Sequence, residues 1–413
     1  MRQRYVFDLF AGPGGWSHAL HVLGIRDVGL EWDDWACKTR AAAGQLTIRT
    51  DVSMYPVWPL VGRSDGFIAS PPCQAWSMAG KRLGLLDQPL VHQAVADLAD
   101  GRDTREKLLA ACRDPRSLLA AEPMRYLHAL NSSVGEPEWI LMEEVPDVLP
   151  LWRQYASILR TWGLSVWTGI LNAADYGVPQ TRRRAILIAS RTRVAEPPAP
   201  THAQSAEPES FFGPGREKWV SMAEALGWGA TDRPVPTVCA GGGPGGGPEP
   251  FPSGARKALT DARDRGTWKP PASPPATNRT RTRPSHPDVP ACTCGRHPWA
   301  WSLRSNNQAN ATIRGIDEPA GTLFFGHRAN ECVWVAEPAG TAPDAEAAAP
   351  DPIRITAAEA GALQTFPAGY PWAGTKGAQF SQIGNAVPPL LAGHLLAPHL
   401  GKTLSRSDFI LAA

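Results

Sequence analysis

With 413 residues, 43% of them hydrophobic, the chain can build a sizeable core and we expect two domains, but it holds no apolar run of about 18 residues for a membrane span and no signal-peptide core. Its seven thinly spread cysteines exclude a disulfide framework and fit a reducing compartment, which predicts a cytoplasmic protein without a membrane partner. The 41 basic and 39 acidic residues leave a net charge of +2, so any nucleic-acid site must be a local patch.

The first 191 residues alternate short β-rich runs with helical stretches, a pattern typical of an α/β domain with a parallel sheet covered by helices. The predicted strands are 5–10, 28–32, 48–52, 66–70, 139–145, 165–172 and 184–190. The predicted helices between them are 36–43, 118–130 and 148–162.

Beyond residue 191 the composition shifts to proline, glycine, arginine and threonine, which breaks regular elements and predicts a smaller, irregular domain over 192–350. An acidic, alanine- and proline-rich linker closes this region. In the remaining segment, 351–413, helices are predicted at 356–365 and 388–400, with a loop at 384–386 between them.

A glycine-rich turn over residues 8–15 follows the first predicted strand and precedes a helix. The glycines let the backbone turn tightly beneath a nucleotide-like ligand. Such a turn alone can also be a plain connection between a strand and a helix, without a ligand. Glu31 ends the second strand, where a carboxylate can bind both hydroxyls of a ribose, and Trp32 offers a flat face. Asp51, at the third strand end, can accept from an adenine amino group. Together these features indicate a cofactor site.

Reactive side chains follow the next strands. Two prolines stiffen the turn that presents Cys73 at the carboxyl edge of the sheet, as a nucleophile or as a buried small hydrophobe. Glu143 and Glu144 end the following strand, which indicates proton chemistry or a solvated turn. Strand alternation places residues 180, 182 and 184 on one face, an arrangement that suits a planar ligand with carbonyl oxygens, although arginines before a strand are usually solvated.

In order and approximate spacing, these motifs resemble those of the DNA cytosine-5 methyltransferases. The matching blocks are FAGPGG at 10–15, PPCQ at 71–74, EEV at 143–145, QTRRR at 180–184, a block within 354–367, and GNAVP at 384–388. The resemblance covers residues 5–191 and 353–397. It implies a Rossmann-like, class I S-adenosylmethionine-dependent methyltransferase domain, to which the C-terminal segment returns, with the middle domain in the place of the target-recognition domain.

The resemblance also implies the chemistry. Cys73 matches the nucleophile that attacks C6 of cytosine, after which C5 takes a methyl group from S-adenosylmethionine and loss of the C5 proton releases 5-methylcytosine. Glu143 and Arg184 match the groups that relieve charge at N3 and O2, and Arg182 supports them. Because a paired base cannot reach Cys73, flipping of the target cytosine out of double-stranded DNA is implied.

By the same resemblance, one set of residues lines the cofactor and another contacts DNA. The cofactor positions are Phe10, Ala11, Gly12, Gly14, Gly15, Glu31, Trp32, Asp51, Val52, Pro72, Asn385 and Ala386. Gln74 and Ser77 begin the loop that closes over the flipped base, and Thr322-Leu323 resembles the Thr-hydrophobic pair of target-recognition regions. An arginine-rich stretch with interleaved tryptophans adds side chains suited to the major groove. The predicted DNA contacts are Gln74, Ser77, Gln180, Arg304, Asn306, Asn307, Thr322 and Leu323.

Three features depart from the family pattern. Glu144 stands where the family usually has asparagine, Ser70 replaces a common glycine, and residues 87–117 form a long insertion to which the sequence assigns no role. The spacing of Cys292 and Cys294 does not fit a zinc site, so no metal is expected.

Other interpretations stay open at this point. The chain could be a catalytically silent, DNA-binding relative, or its substrate could be transfer RNA rather than DNA. Retention of the three catalytic positions argues against the first alternative, and the long arginine-containing middle domain argues against the second. A monomer is expected, together with a cognate restriction endonuclease that acts on the same site.

Overall fold

The computed structural model describes residues 5–72, 76, 83–131, 136–210, 214–226, 299–305, 311–323, 332–338, 353–404 and 409. These residues form two compact units. The first holds the described residues up to Val220 and from Ala357 onward, and the second holds those between Ser221 and Thr356. The stretch 192–220 therefore groups with the first unit, where the Trp219 indole donates to Asp175 at 2.9 Å.

The first unit is built on a seven-stranded sheet with the order β3-β2-β1-β4-β5-β8-β6. The strands of this unit are β1 (Tyr5–Leu9), β2 (Asp27–Glu31), β3 (Leu46–Arg49), β4 (Ser64–Ala69), β5 (Trp139–Glu144), β6 (Ser165–Asn172), β7 (Gln180–Thr181), β8 (Arg183–Ser190), β9 (His202–Ala203) and β10 (Glu217–Lys218). Strands β1 to β5 pair in parallel, which brings their carboxyl ends to one edge.

The parallel pairing that the alternating pattern predicts does not extend to β8. This strand runs antiparallel to both of its neighbours, β5 and β6. The physical reason is the short connection after β6, part of which is the 3₁₀ helix Ala173–Tyr176, because a parallel return needs a crossover of about a dozen residues or more. The antiparallel return places the start of β8 beside the end of β5, where the paired acids lie.

The helices of this unit are α1 (Gly15–Val22), α2 (Asp34–Ala42), α3 (Leu83–Ala99), α4 (Arg105–Ala111), α5 (Glu122–Asn131), α6 (Leu149–Thr161), α8 (Ala357–Leu363), α9 (Lys376–Asn385) and α10 (Pro389–Leu396). Five of them, α1, α3, α5, α6 and α10, pack on the two faces of the sheet. Because strand side chains alternate between faces, Phe7 packs into the cluster with α3, α5 and α6, whereas Val6 packs into the cluster with α1 and α10.

Several predicted boundaries move for local reasons. The third strand ends at Arg49 rather than at residue 52, because the chain has already turned where Asp51 accepts from the Ser53 N–H. The helix predicted over 118–130 divides into a 3₁₀ helix, Pro115–Ala121, and α5. The loop predicted at 384–386 is wrong in part, because Gly384 and Asn385 are the last residues of α9.

The described part of the second unit contains a four-stranded antiparallel sheet with the order β12-β11-β14-β15. The elements in the described part of the second unit are α7 (Met222–Ala225), β11 (Trp299–Arg304), β12 (Ile313–Gly315), β13 (Ala320–Gly321), β14 (Val333–Pro338) and β15 (Ile353–Arg354). Leu303 and Trp334 are buried in this unit. Across the described ranges, no helix is long and apolar enough to cross a membrane.

Candidate active site

The turn between β1 and α1 has left-handed backbone at three positions. Phe10 has φ 59°, Gly12 has φ 53° and Gly14 has φ 96°. Glycine adopts this conformation without strain, which explains why glycine occupies positions 12 and 14, where the turn needs positive φ. Gly15 begins α1 so close to the C-terminal segment that an added Cβ would lie 2.1 Å from the Val387 carbonyl oxygen. The turn and the C-terminal segment are therefore built against each other.

Glu31 is held beneath the turn by backbone donors. Its Oε2 accepts from the Gly12 N–H at 2.7 Å, and its Oε1 accepts from the N–H groups of Trp32 at 2.9 Å and Asp33 at 2.8 Å. Burial raises the pKa of Glu31, and these backbone hydrogen bonds oppose the shift. Because a carboxylate offers about four lone-pair sites, the fixed group retains capacity to accept from a ligand hydroxyl. The Trp32 side chain beside it is 73% exposed.

The third strand end supplies a second fixed carboxylate. Asp51 is exposed, and its Oδ1 accepts from the backbone N–H of Ser53 at 2.8 Å and from the Ser53 hydroxyl at 2.7 Å. Val52, between them, is buried. Asp51 thus faces solvent on a turn whose conformation is set by its own hydrogen bonds.

A cavity of about 1150 Å³ joins these features to the paired acids of β5. Of the predicted site residues, those that border it are Phe10, Gly12, Glu31, Trp32, Asp51, Val52, Pro72, Asn385, Glu143, Arg182 and Arg184. Ala11, Gly14, Gly15, Ala386 and Gln180 do not border it. The cavity is therefore continuous from the predicted cofactor residues to the predicted catalytic residues.

Glu143 and Arg184, which both border the cavity, form an ion pair. The Arg184 Nε lies 2.9 Å from Glu143 Oε1, and both side chains are more than nine-tenths buried. Arg184 also donates to the Arg183 carbonyl oxygen at 2.8 Å. A buried ion pair adds little net stability because desolvation offsets the attraction, so its place in a cavity favours a functional role.

Arg182 connects the acids to the C-terminal segment. Its guanidinium is buried and donates to the Gly384 carbonyl oxygen at 3.0 Å, next to Asn385. Gln180 is also buried, whereas Arg183 is exposed, so the alternation expected across this run is present. Neither amide atom of Gln180 has a hydrogen-bond partner in the part of the chain that the structure describes.

Glu144 borders the same cavity and is 1% exposed. Its Oε2 accepts from the backbone N–H of Val145, while its Oε1 has no hydrogen-bond partner among the described residues. Burial raises the pKa of Glu144 well above its ordinary value, and the Glu143 charge adds to the shift, while Arg184 and Arg182 oppose it. Glu144 is thus a buried acid that favours the neutral form.

Other predicted residues lie outside the described ranges: Cys73, Gln74, Ser77, Asn306 and Asn307. Pro72, the last described residue before Cys73, borders the cavity. In the second unit, Arg304 ends β11, Thr322 is half-buried and Leu323 is buried. Within the described ranges, no group of three or more potential metal ligands is found.

Sequence reasoning missed one wall of the cavity. Asp103, Arg105, Glu106 and Leu109, all from the insertion, border it, as does Met54. No motif marks these residues, and their approach to the site follows from packing between distant parts of the chain.

The sheet order, with an antiparallel β8, and a cavity at the carboxyl ends of the strands define a Rossmann-like methyltransferase domain. The family model for the C-5 cytosine-specific DNA methylases matches residues 5–93, 109–214 and 302–400. The chain therefore belongs to this family, and the Rossmann-like, class I methyltransferase fold expected from the sequence is confirmed.

Curated relatives and solved structures agree with this assignment. The chain is 26% identical to the type II methyltransferase M.DdeI of Desulfomicrobium norvegicum, over 94% of this chain and 86% of that protein. It is 28% identical to the type II methyltransferase M.AquIA of a Picosynechococcus species, over 54% of this chain and 88% of that protein. The S. pombe Dnmt2 methyltransferase shares the fold, with a TM-score of 0.55 at 14% identity over 97% of this chain and 99% of that one.

Proposed function

We propose that this chain transfers a methyl group from S-adenosylmethionine to C5 of a cytosine within a specific sequence of double-stranded DNA. The observation that carries the proposal is the buried pair Glu143–Arg184, which borders the same cavity as the Glu31 turn. One cavity thus offers both a nucleoside-binding carboxylate and a charged pair suited to a pyrimidine ring.

Three residues that border the cavity, Glu31, Trp32 and Asp51, fit the cofactor. Glu31 would accept from the ribose hydroxyls, Asp51 from the adenine amino group, and Trp32 would pack on a flat face. A Cβ added to Gly12 meets nothing within 4 Å, so the turn leaves space for a ligand. Bound S-adenosylmethionine supplies an electrophilic methyl group.

The chain's own residues would activate the cytosine. The Cys73 thiolate forms a bond to C6, which moves the electrons of the C5–C6 double bond toward N3 and O2. Once Glu143 carries a proton in the complex with the base, it donates that proton to N3, and the Arg184 guanidinium donates to O2, so the developing charge is balanced. C5 is then nucleophilic enough to accept the methyl group. The N3 proton then returns to Glu143, a water molecule accepts the C5 proton, and breakage of the Cys73–C6 bond releases the Cys73 thiolate and restores the aromatic ring.

The second unit would select the target. Arg304 and Thr322 belong to this unit, and arginine is the side chain most often used to read guanine in the major groove. The base must leave the helix to reach the cavity. We propose that the enzyme acts as a monomer in the cytoplasm. We also propose that it acts on the site of a cognate restriction endonuclease, since the relatives M.DdeI and M.AquIA are named type II methyltransferases.

Single-base mapping of 5-methylcytosine tests the proposal, using DNA from cells that express the chain or its Cys73→Ala variant. We expect one short motif to be methylated by the intact chain alone, while the variant still binds S-adenosylmethionine within several-fold. Methylation of cellular RNA without methylation of DNA would replace the substrate. No methylation by a folded, cofactor-binding chain would instead support a silent DNA-binding relative, and turnover by Cys73→Ala would refute the covalent route.

A further inference from the structure

Part of the cavity wall comes from a segment that the family model does not match. The matched ranges stop at residue 93 and resume at residue 109. Residues 94–108 hold the end of α3, a turn and the start of α4. Asp103, Arg105 and Glu106 of this segment border the cavity, as does Leu109 directly after it. Residues outside the matched ranges of the family model therefore border the cavity.

The turn that leads into α4 is firmly tied. Gly101 has φ 75°, and the Arg102 N–H donates to the Asp97 carbonyl oxygen at 2.8 Å. The Asp97 carboxylate accepts from Arg102 and from the Thr104 hydroxyl, each at 2.8 Å. Hydrogen bonds from Gln93, Arg102 and Thr104 lower the pKa of Asp97 to about 2, so this carboxylate stays ionised. The start of α4 is thus fixed in place.

Arg105 links α4 to the turn that follows β3. It donates to Asp103 from Nε at 2.8 Å and from Nη2 at 2.7 Å, which fixes the plane of its guanidinium. Its Nη1 donates to Glu122 Oε1 at 2.7 Å and to the Ser53 carbonyl oxygen at 3.0 Å. One side chain from the unmatched segment therefore binds the backbone two residues after Asp51.

The same turn is held from behind by α5. Arg125 donates to the carbonyl oxygens of Val52 at 2.6 Å and Tyr55 at 3.0 Å, and the Tyr126 hydroxyl donates to Val52 at 2.8 Å. Buried Glu122 joins the two arginines, since its Oε2 accepts from Arg125 at 2.9 Å. Arg105 completes a set of side chains that fixes three carbonyl groups of the turn carrying Asp51 and Val52.

Large apolar side chains are unusually exposed around this part of the cavity. Met54 is 79% exposed and Leu109 is 44% exposed, in addition to Trp32. All three border the cavity. Exposed apolar surface in a concave site is typical of ligand binding, because a flat ligand removes it from water.

We propose that the segment 97–109 is an added wall of the cofactor pocket, in which Arg105 positions the Asp51–Val52 turn and Leu109, with Met54, covers the adenosyl end of S-adenosylmethionine. Arg105 is a positioning residue, because it acts on the cofactor through the turn. The inference rests on the proposed function, since that function supplies the ligand.

The test measures binding of S-adenosylmethionine to the full chain by calorimetry, well below the melting temperature. We expect Arg105→Gln and Leu109→Ser each to raise Kd about ten-fold, and to raise KM for the cofactor more than they change kcat. Lys107→Gln is the matched control, because Lys107 is an exposed residue of α4 in the same segment, carries the same charge as Arg105 and does not border the cavity. Its Kd should stay within about two-fold of the wild-type value.

The outcomes separate the inference from the proposed function. A merely structural role of Arg105 would lower the melting temperature of the free protein and leave Kd unchanged, which would overturn the inference. If Arg105→Gln does not fold, Leu109→Ser decides, and wild-type affinity in that variant overturns the cofactor-wall role. A wild-type chain that does not bind S-adenosylmethionine would instead refute the proposed function, and the inference with it.

Discussion

A protonated Glu144 presents the same pair of groups as the asparagine that the family usually has at this position. Its Oε2 accepts from the Val145 N–H, as an amide oxygen would, and its Oε1 would carry the proton and donate, as an amide nitrogen does. The substitution therefore conserves the hydrogen-bonding pattern only while the carboxyl is neutral. The position beside Glu143 and between two arginines makes its charge state matter to the site.

Glu144→Gln should change how stability depends on pH. Because the folded-state pKa of Glu144 is raised above its ordinary value of 4.5, its contribution to stability is complete below that value and is lost as pH rises through the folded pKa. Between pH 4.5 and the folded-state pKa, the free energy of unfolding of the wild type should therefore fall relative to that of the variant by about 1.4 kcal/mol per pH unit. Urea unfolding of both proteins at several pH values measures this. If the free energies of unfolding of the two proteins changed with pH in parallel, the pKa of Glu144 would not be raised by folding.

Arg184→Lys tests the charged pair without removing its charge. Lysine lacks the planar fork with which Arg184 contacts both Glu143 and the Arg183 carbonyl oxygen. We expect methyl transfer in single turnover to slow by about 10²- to 10³-fold, the usual effect of losing one oxyanion donor, while cofactor affinity changes little. Wild-type rates would exclude Arg184 from contact with the base.

At the scale of elements, the site depends on a close approach between the start of α1 and the residues before α10. Gly15 leaves room for the Val387 carbonyl oxygen, and the Tyr370 hydroxyl donates to the Pro13 carbonyl oxygen at 2.6 Å. The C-terminal segment, which contains Asn385, thus packs directly on the glycine turn. Distant parts of the chain complete one pocket.

Gly15→Ala should disrupt this contact, because the new Cβ would meet a backbone oxygen that cannot swing away. We expect the free energy of unfolding to fall by about 1–3 kcal/mol, in the range of overpacked sites. Gly377→Ala in α9 is the control, since nothing lies within 4 Å of its added Cβ and alanine is the better helix former. Thermal unfolding compares them, and equal melting temperatures would contradict the expected clash.

Sequence patterns predicted most of the strands that carry the site, and β6 was predicted with its observed bounds. Apolar runs and turn residues mark where strands lie, but they do not encode strand direction, so the pattern predicted a parallel sheet and did not single out β8 as antiparallel. Motif spacing predicted that the acids and the arginines lie at one edge of the sheet, because the acids end β5 and the arginines lie around the start of β8; their catalytic roles stay a prediction. Arg105 could not be predicted, since its contact with Ser53 spans 52 residues and depends on how α4 packs.

At the scale of the whole molecule, the proposed function places chemistry and target reading in different units. Every described residue that borders the cavity belongs to the first unit, whereas Arg304 belongs to the second. A change in the second unit should therefore alter where the enzyme acts without altering how it binds the cofactor.

Arg304→Ala tests this separation. If Arg304 reads a base, the variant should methylate additional sequences or lose preference at one position of the motif, with a discrimination loss of about 1–3 kcal/mol and an unchanged Kd for S-adenosylmethionine. Arg153→Ala is the control, because Arg153 is an exposed residue of α6 in the first unit and its loss removes the same charge. Single-base methylation mapping of both variants separates base reading from general attraction to phosphates, which would weaken binding equally at all sequences. An unchanged motif in Arg304→Ala would remove this arginine from the reading surface and shift attention to Thr322.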